Sequence, residues 1–182
     1  MEHHANIVPW QMLRDEKGIV LKVAPIDDSG VLDIDAYTAL LDENTKFVSI
    51  THCSNVLGTH VPAKELISLA HDRGIPVLLD GSQSVVHSPI DVQDLDVDFF
   101  IFTGHKLYGP NAIGVLYGKA ELLAKMPPYQ GGGDMIASVT YEKTTYMEPP
   151  HRFEAGTPPI VEAIGLGAAI DYVSAIGMDR IA

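Results

Sequence analysis

Four apolar residues stand side by side at Phe99, Phe100, Ile101 and Phe102, the pattern of a strand buried on both faces. Thr103, Gly104, His105 and Lys106 follow at once. Four other segments read as strands: "VLKVAPI" over Val20 to Ile26, "KFVSITH" from Lys46, "IPVLLD" ending on Asp80, and "AIGVLYG" after Pro110. Between them lie helical patterns. "IDAYTALLD" follows the N-cap Asp33, and "AKELISLAHDR" starts behind Pro62 and stops at Gly74. "AELLAKM" is a short helix, and "IVEAIGLGAAIDYVSAIG" from Ile160 is a long one whose small residues predict close packing against a neighbour. The opening "MEHHANIVPWQ" is also helix-like, without a preceding strand or turn. Pro127 to Pro159 is richer in Gly, Pro and Tyr and predicts loops with short extended pieces. Strands alternating with helices predict an α/β fold: a mainly parallel sheet with helices on both faces.

Three of these strands end in polar clusters, "THCSN", "DGSQS" and "TGHK". The carboxyl ends of parallel strands lie side by side, so the clusters are expected to meet at one crevice, where open α/β sheets bind ligands. Singly, each piece has an ordinary explanation. Asp80 caps a turn, Ser82 and Gln83 are loop polars, and a lone lysine is a solvated one. Together they put an acid, an amide, a hydroxyl, an imidazole and an amine at one predicted edge. A lysine beside an acid in a dry cleft suits Schiff-base chemistry once its amine is neutral, and pyridoxal phosphate demands such a lysine together with a carboxylate for its ring nitrogen.

Charge narrows the partners. Twelve Lys and Arg face 24 Asp and Glu, a net charge of −12, which argues against an extended nucleic-acid or anionic-membrane footprint. The 46% apolar content fits one globular domain with a real core. Cys53 is the single cysteine, so no internal disulfide forms and a reducing, cytoplasmic setting is the simplest expectation. No apolar run is long enough to span a bilayer, and the opening lacks the pattern of a signal peptide. His3 and His4 are adjacent with no further ligand cluster, so no metal is expected.

The stretches "EHHANIVPWQ", "THCSNVLGT", "DGSQSVVH", "FTGHKLYGPNAIGVLYG" and "RFEAGTP" together resemble the cysteine desulfurases of the class V aminotransferase family, in the iron–sulfur-assembly group that also holds selenocysteine lyases. The resemblance spans essentially the whole chain. It implies the large domain of a fold-type I pyridoxal-phosphate enzyme, with residues 1–182 as its central part. The family's amino-terminal phosphate loop would precede His3. Its carboxyl-terminal small domain, with the sulfur-accepting cysteine and a substrate-binding arginine, would follow.

By this resemblance Lys106 carries pyridoxal 5'-phosphate and, once freed by substrate, moves the α-carbon proton. Asp80 pairs with the ring nitrogen, Gln83 with the phenolic oxygen, and Asn55 lies near that oxygen or the substrate carboxylate. Thr103 and His105 bind the phosphate. Thr157 reaches the phosphate of the other subunit in a homodimer, and His3 stacks on the ring and assists proton transfer. The implied reaction takes sulfur from L-cysteine, leaving L-alanine, and hands it to an acceptor protein. Cys53 sits at a strand end where a buried thiol is inert, so packing is its expected role.

Other readings remain. L-selenocysteine or another amino acid of the class V family is an alternative substrate, and a cofactor-binding or dimer module without turnover is the non-enzymatic alternative. A nucleotide-binding Rossmann domain is disfavoured, since no G-x-G-x-x-G links a strand to a helix.

Overall fold

Three parallel strands organise the computed structural model, which describes residues 1–181. They are β1 (Val48–Thr51), β2 (Val77–Asp80) and β3 (Phe99–Thr103), and β4 (Gly114–Gly118) joins β3 antiparallel in the order β1-β2-β3-β4. The helices are α1 (Val8–Lys17), α2 (Ile34–Leu40), α3 (Ala63–His71), α4 (Ser84–His87), α5 (Val92–Leu95), α6 (Ala120–Leu123), α7 (Ile160–Ile176) and α8 (Met178–Ile181). A hairpin of β5 (Ile136–Val139) and β6 (Thr144–Tyr146) occupies the Gly- and Pro-rich segment where short extended pieces were expected.

Register explains which side chains fill the core. Val48 pairs with Val77, Ile50 with Leu79, and Leu79 with Phe100, so these residues line one face of the sheet and pack with Leu66, Ile67 and Ala70 of α3. Tyr37 of α2 donates its hydroxyl to the Leu66 carbonyl at 2.9 Å, which fixes α2 on α3. Ser49, Leu78 and Phe99 alternate to the other face. There the α1 residue Trp10 packs on Phe47, which packs on Phe99, with ring centroids 5.4 and 6.0 Å apart. Helices therefore cover both faces, as the alternation of elements implied. The predicted cap at Asp33 forms, its carboxylate accepting the Ala36 N–H at 2.9 Å.

Two local expectations are corrected, and one strand acquires a direction. Val20 to Ile26 does not join the sheet: only Ile26 makes a bridge, to Leu32, and Val20 and Val23 are exposed. Alternation alone cannot make a strand without a neighbour to pair with, and Pro25 offers no N–H to a ladder. The segment after Pro110 forms a strand but runs antiparallel, because the short connection from Thr103 to Gly114 is a tight return and not a helical crossover. In the Phe99–Phe102 run, Phe99 and Phe100 are buried while Ile101 and Phe102 are half-buried.

Helix α7 packs closely where a small residue allows it and leaves much of its length exposed. Gly165 lets it approach the ring of Pro110, where a Cβ would stand 3.1 Å from Cγ, and Leu166 lies against Gly104 and Gly109. Only Leu166 and Val173 are buried along its length; Ile160, Val161, Ile164 and Tyr172 are exposed.

At the amino edge of the sheet, buried Asp98 accepts the Val77 N–H at 2.7 Å and His71 Nε2 at 2.7 Å, and lies 3.2 Å from Lys119 Nζ. Lys119 and His71 also meet Asp96, at 2.6 and 3.3 Å. This cluster ties α3, β2, β3 and the end of β4 together away from the carboxyl edge. Among the described residues no helix is long and apolar enough to cross a membrane.

Candidate active site

The ladders bring the polar strand ends level. Thr51 stands opposite Asp80, and Asp80 opposite Ile101. Backbone bonds from His52 N–H to the Asp80 carbonyl at 2.9 Å and from Gly81 N–H to the Ile101 carbonyl at 2.8 Å carry both pairings one residue further. Alternation then sets Thr51, Asp80, Ile101 and Thr103 on one face of the sheet, the face that α1 covers. Asp80 is 6% exposed, and one of its oxygens accepts the Ser82 N–H at 2.9 Å. Gln83 is half-buried immediately before α4.

Beyond β3 the chain tightens into a 3₁₀ turn, Gly104–Leu107, that carries His105 and Lys106. Thr103 Oγ1 and His105 Nδ1 lie 2.9 Å apart. Lys106 is half-buried, and no ion pair or hydrogen bond ties its ammonium to another described residue. The Gly104 N–H donates to the Ile113 carbonyl at 2.8 Å, and Tyr108 leaves the turn with φ 57°.

Glycine is required at one point of this edge. A Cβ on Gly81 would fall within 2.6 Å of Cζ, Cε1 and Cε2 of the buried Phe100 ring. Backbone and ring touch there, directly after Asp80.

His3 arrives from a different element. It caps a short 3₁₀ turn, His4–Asn6, its Nδ1 accepting the Ala5 N–H at 3.1 Å, and its ring is exposed. Glu2 anchors this turn to the sheet by accepting the Thr51 N–H at 2.9 Å. Burial pushes the Glu2 carboxyl above its usual range, while the Thr51 and Asn6 donors pull it down and the nearby Asp80 charge adds to the rise.

Two expected residues are exposed on loops. Asn55 is exposed on a turn beyond β1, a turn held by Ser54 Oγ accepting the N–H groups of Val56 and Leu57. Thr157 is exposed on the loop that precedes α7. Cys53 is buried, its Sγ 3.8 Å from the Gly58 carbonyl, and burial pushes its thiol up, away from the thiolate a nucleophile needs.

An amine without a partner, a buried carboxylate with one oxygen lightly engaged, and a hydroxyl–imidazole pair suit a flat cofactor with a cationic ring nitrogen and an anionic tail. The class V aminotransferase model matches residues 1–182, the whole chain. The chain belongs to that family.

Relatives within class V agree. The chain is 59% identical over 182 residues to a cysteine desulfurase of Dickeya dadantii, covering all of this chain and 44% of the relative. It is 56% identical over 183 residues to a cysteine desulfurase of Escherichia coli, again over all of this chain and 45% of the other. Among solved structures, the cysteine desulfurase CsdA of Escherichia coli superimposes with a TM-score of 0.95 at 41% identity, covering 98% of this chain and 45% of that one. A cysteine desulfurase from Thermococcus onnurineus gives 0.93 at 39% identity, with the same coverage. The chain thus spans less than half the length of these relatives.

Sequence reasoning about this class V chain missed Glu2, Asn6 and Gly81. Glu2 and Asn6 are spaced i, i+4 in "EHHAN", a visible signal overshadowed by the two histidines between them. Gly81 carries no such signal, because its need arises from a ring 19 residues away in sequence, as the numbering of Phe100 shows.

Proposed function

We propose that residues 1–182 are the central, cofactor-binding part of the large domain of a pyridoxal-phosphate-dependent cysteine desulfurase, taking sulfur from L-cysteine for iron–sulfur cluster assembly. The observation that supports this reading is the alignment of Asp80 with the strand that ends on Thr103 and leads directly into the turn carrying His105 and Lys106, at one sheet edge. Pyridoxal 5'-phosphate, when bound, supplies an electron sink conjugated to the substrate's α-carbon. Asp80 holds a proton on the ring nitrogen, and its burial strengthens that pairing. Lys106 holds the cofactor through its amine and then moves the proton at the α-carbon. Thr103 and His105 bind the phosphate, and Gln83 and Asn55 orient the phenolic oxygen and the substrate carboxylate. His3 covers one face of the ring. Cys53, buried and held as a thiol, packs the β1 end and takes no sulfur.

A homodimer fits the same reading, with Thr157 reaching the partner's phosphate and the exposed apolar residues of α7 offering a surface to cover. The relatives' names support L-cysteine over L-selenocysteine, and a sulfur-acceptor protein and a cytoplasmic location follow from the same reading. The test is spectroscopic. Adding pyridoxal phosphate to the full chain is expected to produce a visible absorption band that Lys106→Ala abolishes, whereas release of alanine from L-cysteine is expected only where the family's sulfur-accepting cysteine is also present to take the sulfur. Equal spectra from both proteins would refute the assignment. Alanine release lost in Cys53→Ser would refute the packing role of that thiol.

A further inference from the structure

One polar network on the sheet face that bears Asp80 has no part in the reading above. Glu2 engages both carboxylate oxygens: Oε1 accepts the Thr51 N–H at 2.9 Å, and Oε2 accepts from Asn6 Nδ2 at 2.7 Å. Asn6, 6% exposed, turns its own oxygen to two further donors, Trp10 Nε1 at 3.1 Å and the Ser49 hydroxyl. The Met1 carbonyl accepts from Ser54 Oγ at 2.9 Å. The turn that carries His3 is therefore pinned to β1 on both sides of that residue, at the level where Thr51 stands opposite Asp80.

The direction of every bond in this network is fixed by chemistry. An indole N–H and a backbone N–H only donate, so Asn6 must present its oxygen to Trp10 and its amide nitrogen to Glu2, and Glu2 must accept twice. The network has one consistent arrangement of donors. The His3 ring is exposed and its one side-chain hydrogen bond is the local one to Ala5, so nothing in its side-chain contacts sets its distance from the sheet. Its neighbours one residue before and three residues after do.

We infer that Glu2 and Asn6 are positioning residues that fix His3 over the ring of the bound cofactor, with Thr51 and Trp10 as their anchor points. This role rests on the pyridoxal-phosphate reading proposed above. Glu2→Gln sets the new amide nitrogen against Asn6 Nδ2. Rotating Asn6 to relieve that clash sets its nitrogen against Trp10 Nε1. The swap of both, Glu2→Gln with Asn6→Asp, restores a donor for every acceptor with the total charge unchanged. In that double variant the amide at position 2 accepts from Thr51 and donates to the new carboxylate at position 6, which in turn accepts from Trp10 and Ser49.

The experiment uses the full chain, with and without pyridoxal phosphate. Amide exchange at Thr51 in the unloaded protein reads the network; the cofactor's dissociation constant and its visible circular dichroism, which reports a fixed ring environment, read the positioning. Glu2→Gln is expected to speed Thr51 exchange, to weaken cofactor binding about tenfold and to diminish the dichroism. The double swap is expected to recover binding to within about twofold of the parent, which also covers the case where Glu2→Gln alone does not fold. In a His3→Ala background Glu2→Gln is expected to cost less than about twofold more, because a group that acts through His3 has nothing left to place.

A Glu2→Gln protein that binds and orients the cofactor as the parent does overturns the inference. So does a tenfold loss that persists beside His3→Ala, or a double swap that restores slow Thr51 exchange without restoring binding. If the parent itself takes up no cofactor, the proposed function falls and the positioning role with it, and this is distinct from failure of the network, which Thr51 exchange reports alone.

Discussion

Gly81→Ala is the sharpest test of how this sheet edge is built. The new methyl would lie 2.5 and 2.6 Å from Cε2 and Cε1 of Phe100, and nearer still to Cζ. Carbon atoms pack at about 3.5 to 4.0 Å, so ring and backbone must part by roughly 1 Å or more. Neither yields easily. Phe100 is 3% exposed in the main core, and its backbone pairs with Leu79. Gly81 is held by its bond to the Ile101 carbonyl at 2.8 Å. Overpacking of this kind costs about 1–3 kcal/mol, and contact with a ring in a close-packed core places this case near the upper end. For a chain of this length that lowers Tm by roughly 6–12 °C. Urea or thermal unfolding monitored by circular dichroism measures it. A companion variant, Gly81→Ala with Phe100→Leu, removes the obstructing ring atoms and is expected to recover part of the loss despite the smaller core residue. A Gly81→Ala protein within about 0.5 kcal/mol of the parent, or a double variant whose losses simply add, would refute the steric account.

Two further perturbations address other parts of the molecule. His52 has its pKa pushed down to about 4, first by burial and then by the nearby His60, and its buried Nδ1 has no hydrogen-bond partner among the described residues. Its folded pKa lies below the ordinary value of 6.5, so the unfolded chain binds the extra proton first: stability is full above pH 6.5 and falls as the pH drops toward 4. Denaturant midpoints across that window are expected to flatten in His52→Gln; a His52→Gln profile as steep as the parent's would remove His52 as the cause. Asp98→Ala leaves the Val77 N–H without an acceptor, while Lys119 and His71 keep Asp96, and is expected to destabilise by about 1–3 kcal/mol, as for a buried donor left unpaired. Urea unfolding measures this, and a loss under about 1 kcal/mol would show that water replaces the carboxylate.

The sheet and the edge that bears Asp80 and Lys106 were legible because they rest on local signals. Buried runs such as Phe99–Phe102 and "IPVLLD" can pair only where both faces are covered, and the helices between parallel strands force the polar ends to one side. What was not legible depended on distant partners. Val20 to Ile26 has strand-like alternation, yet no strand lies beside it, and only Ile26 makes a bridge. The direction of β4 depended on the length of the turn before it. The apolar run of α7 announced a helix correctly, but which of its faces meets this chain depended on Gly165 meeting Pro110 and Leu166 meeting Gly104. For the candidate site, the residue types were visible, and the support behind them was not. Glu2, Asn6 and Gly81 act through contacts with Thr51, Trp10 and Phe100 that no short window of sequence contains.

The antiparallel return of β4 has a consequence for how the lysine behaves. Both ends of the segment from Thr103 to Gly114 are sewn into one ladder, with Gly104 bonded across its base to Ile113 and Gly109 folded back on Gly104 at 3.0 Å. A loop closed at both feet has little slack, and displacing it means unzipping paired strands. Lys106 thus stands on a fixed post, and any motion that admits a bulky molecule to this edge must come from elements outside this ladder.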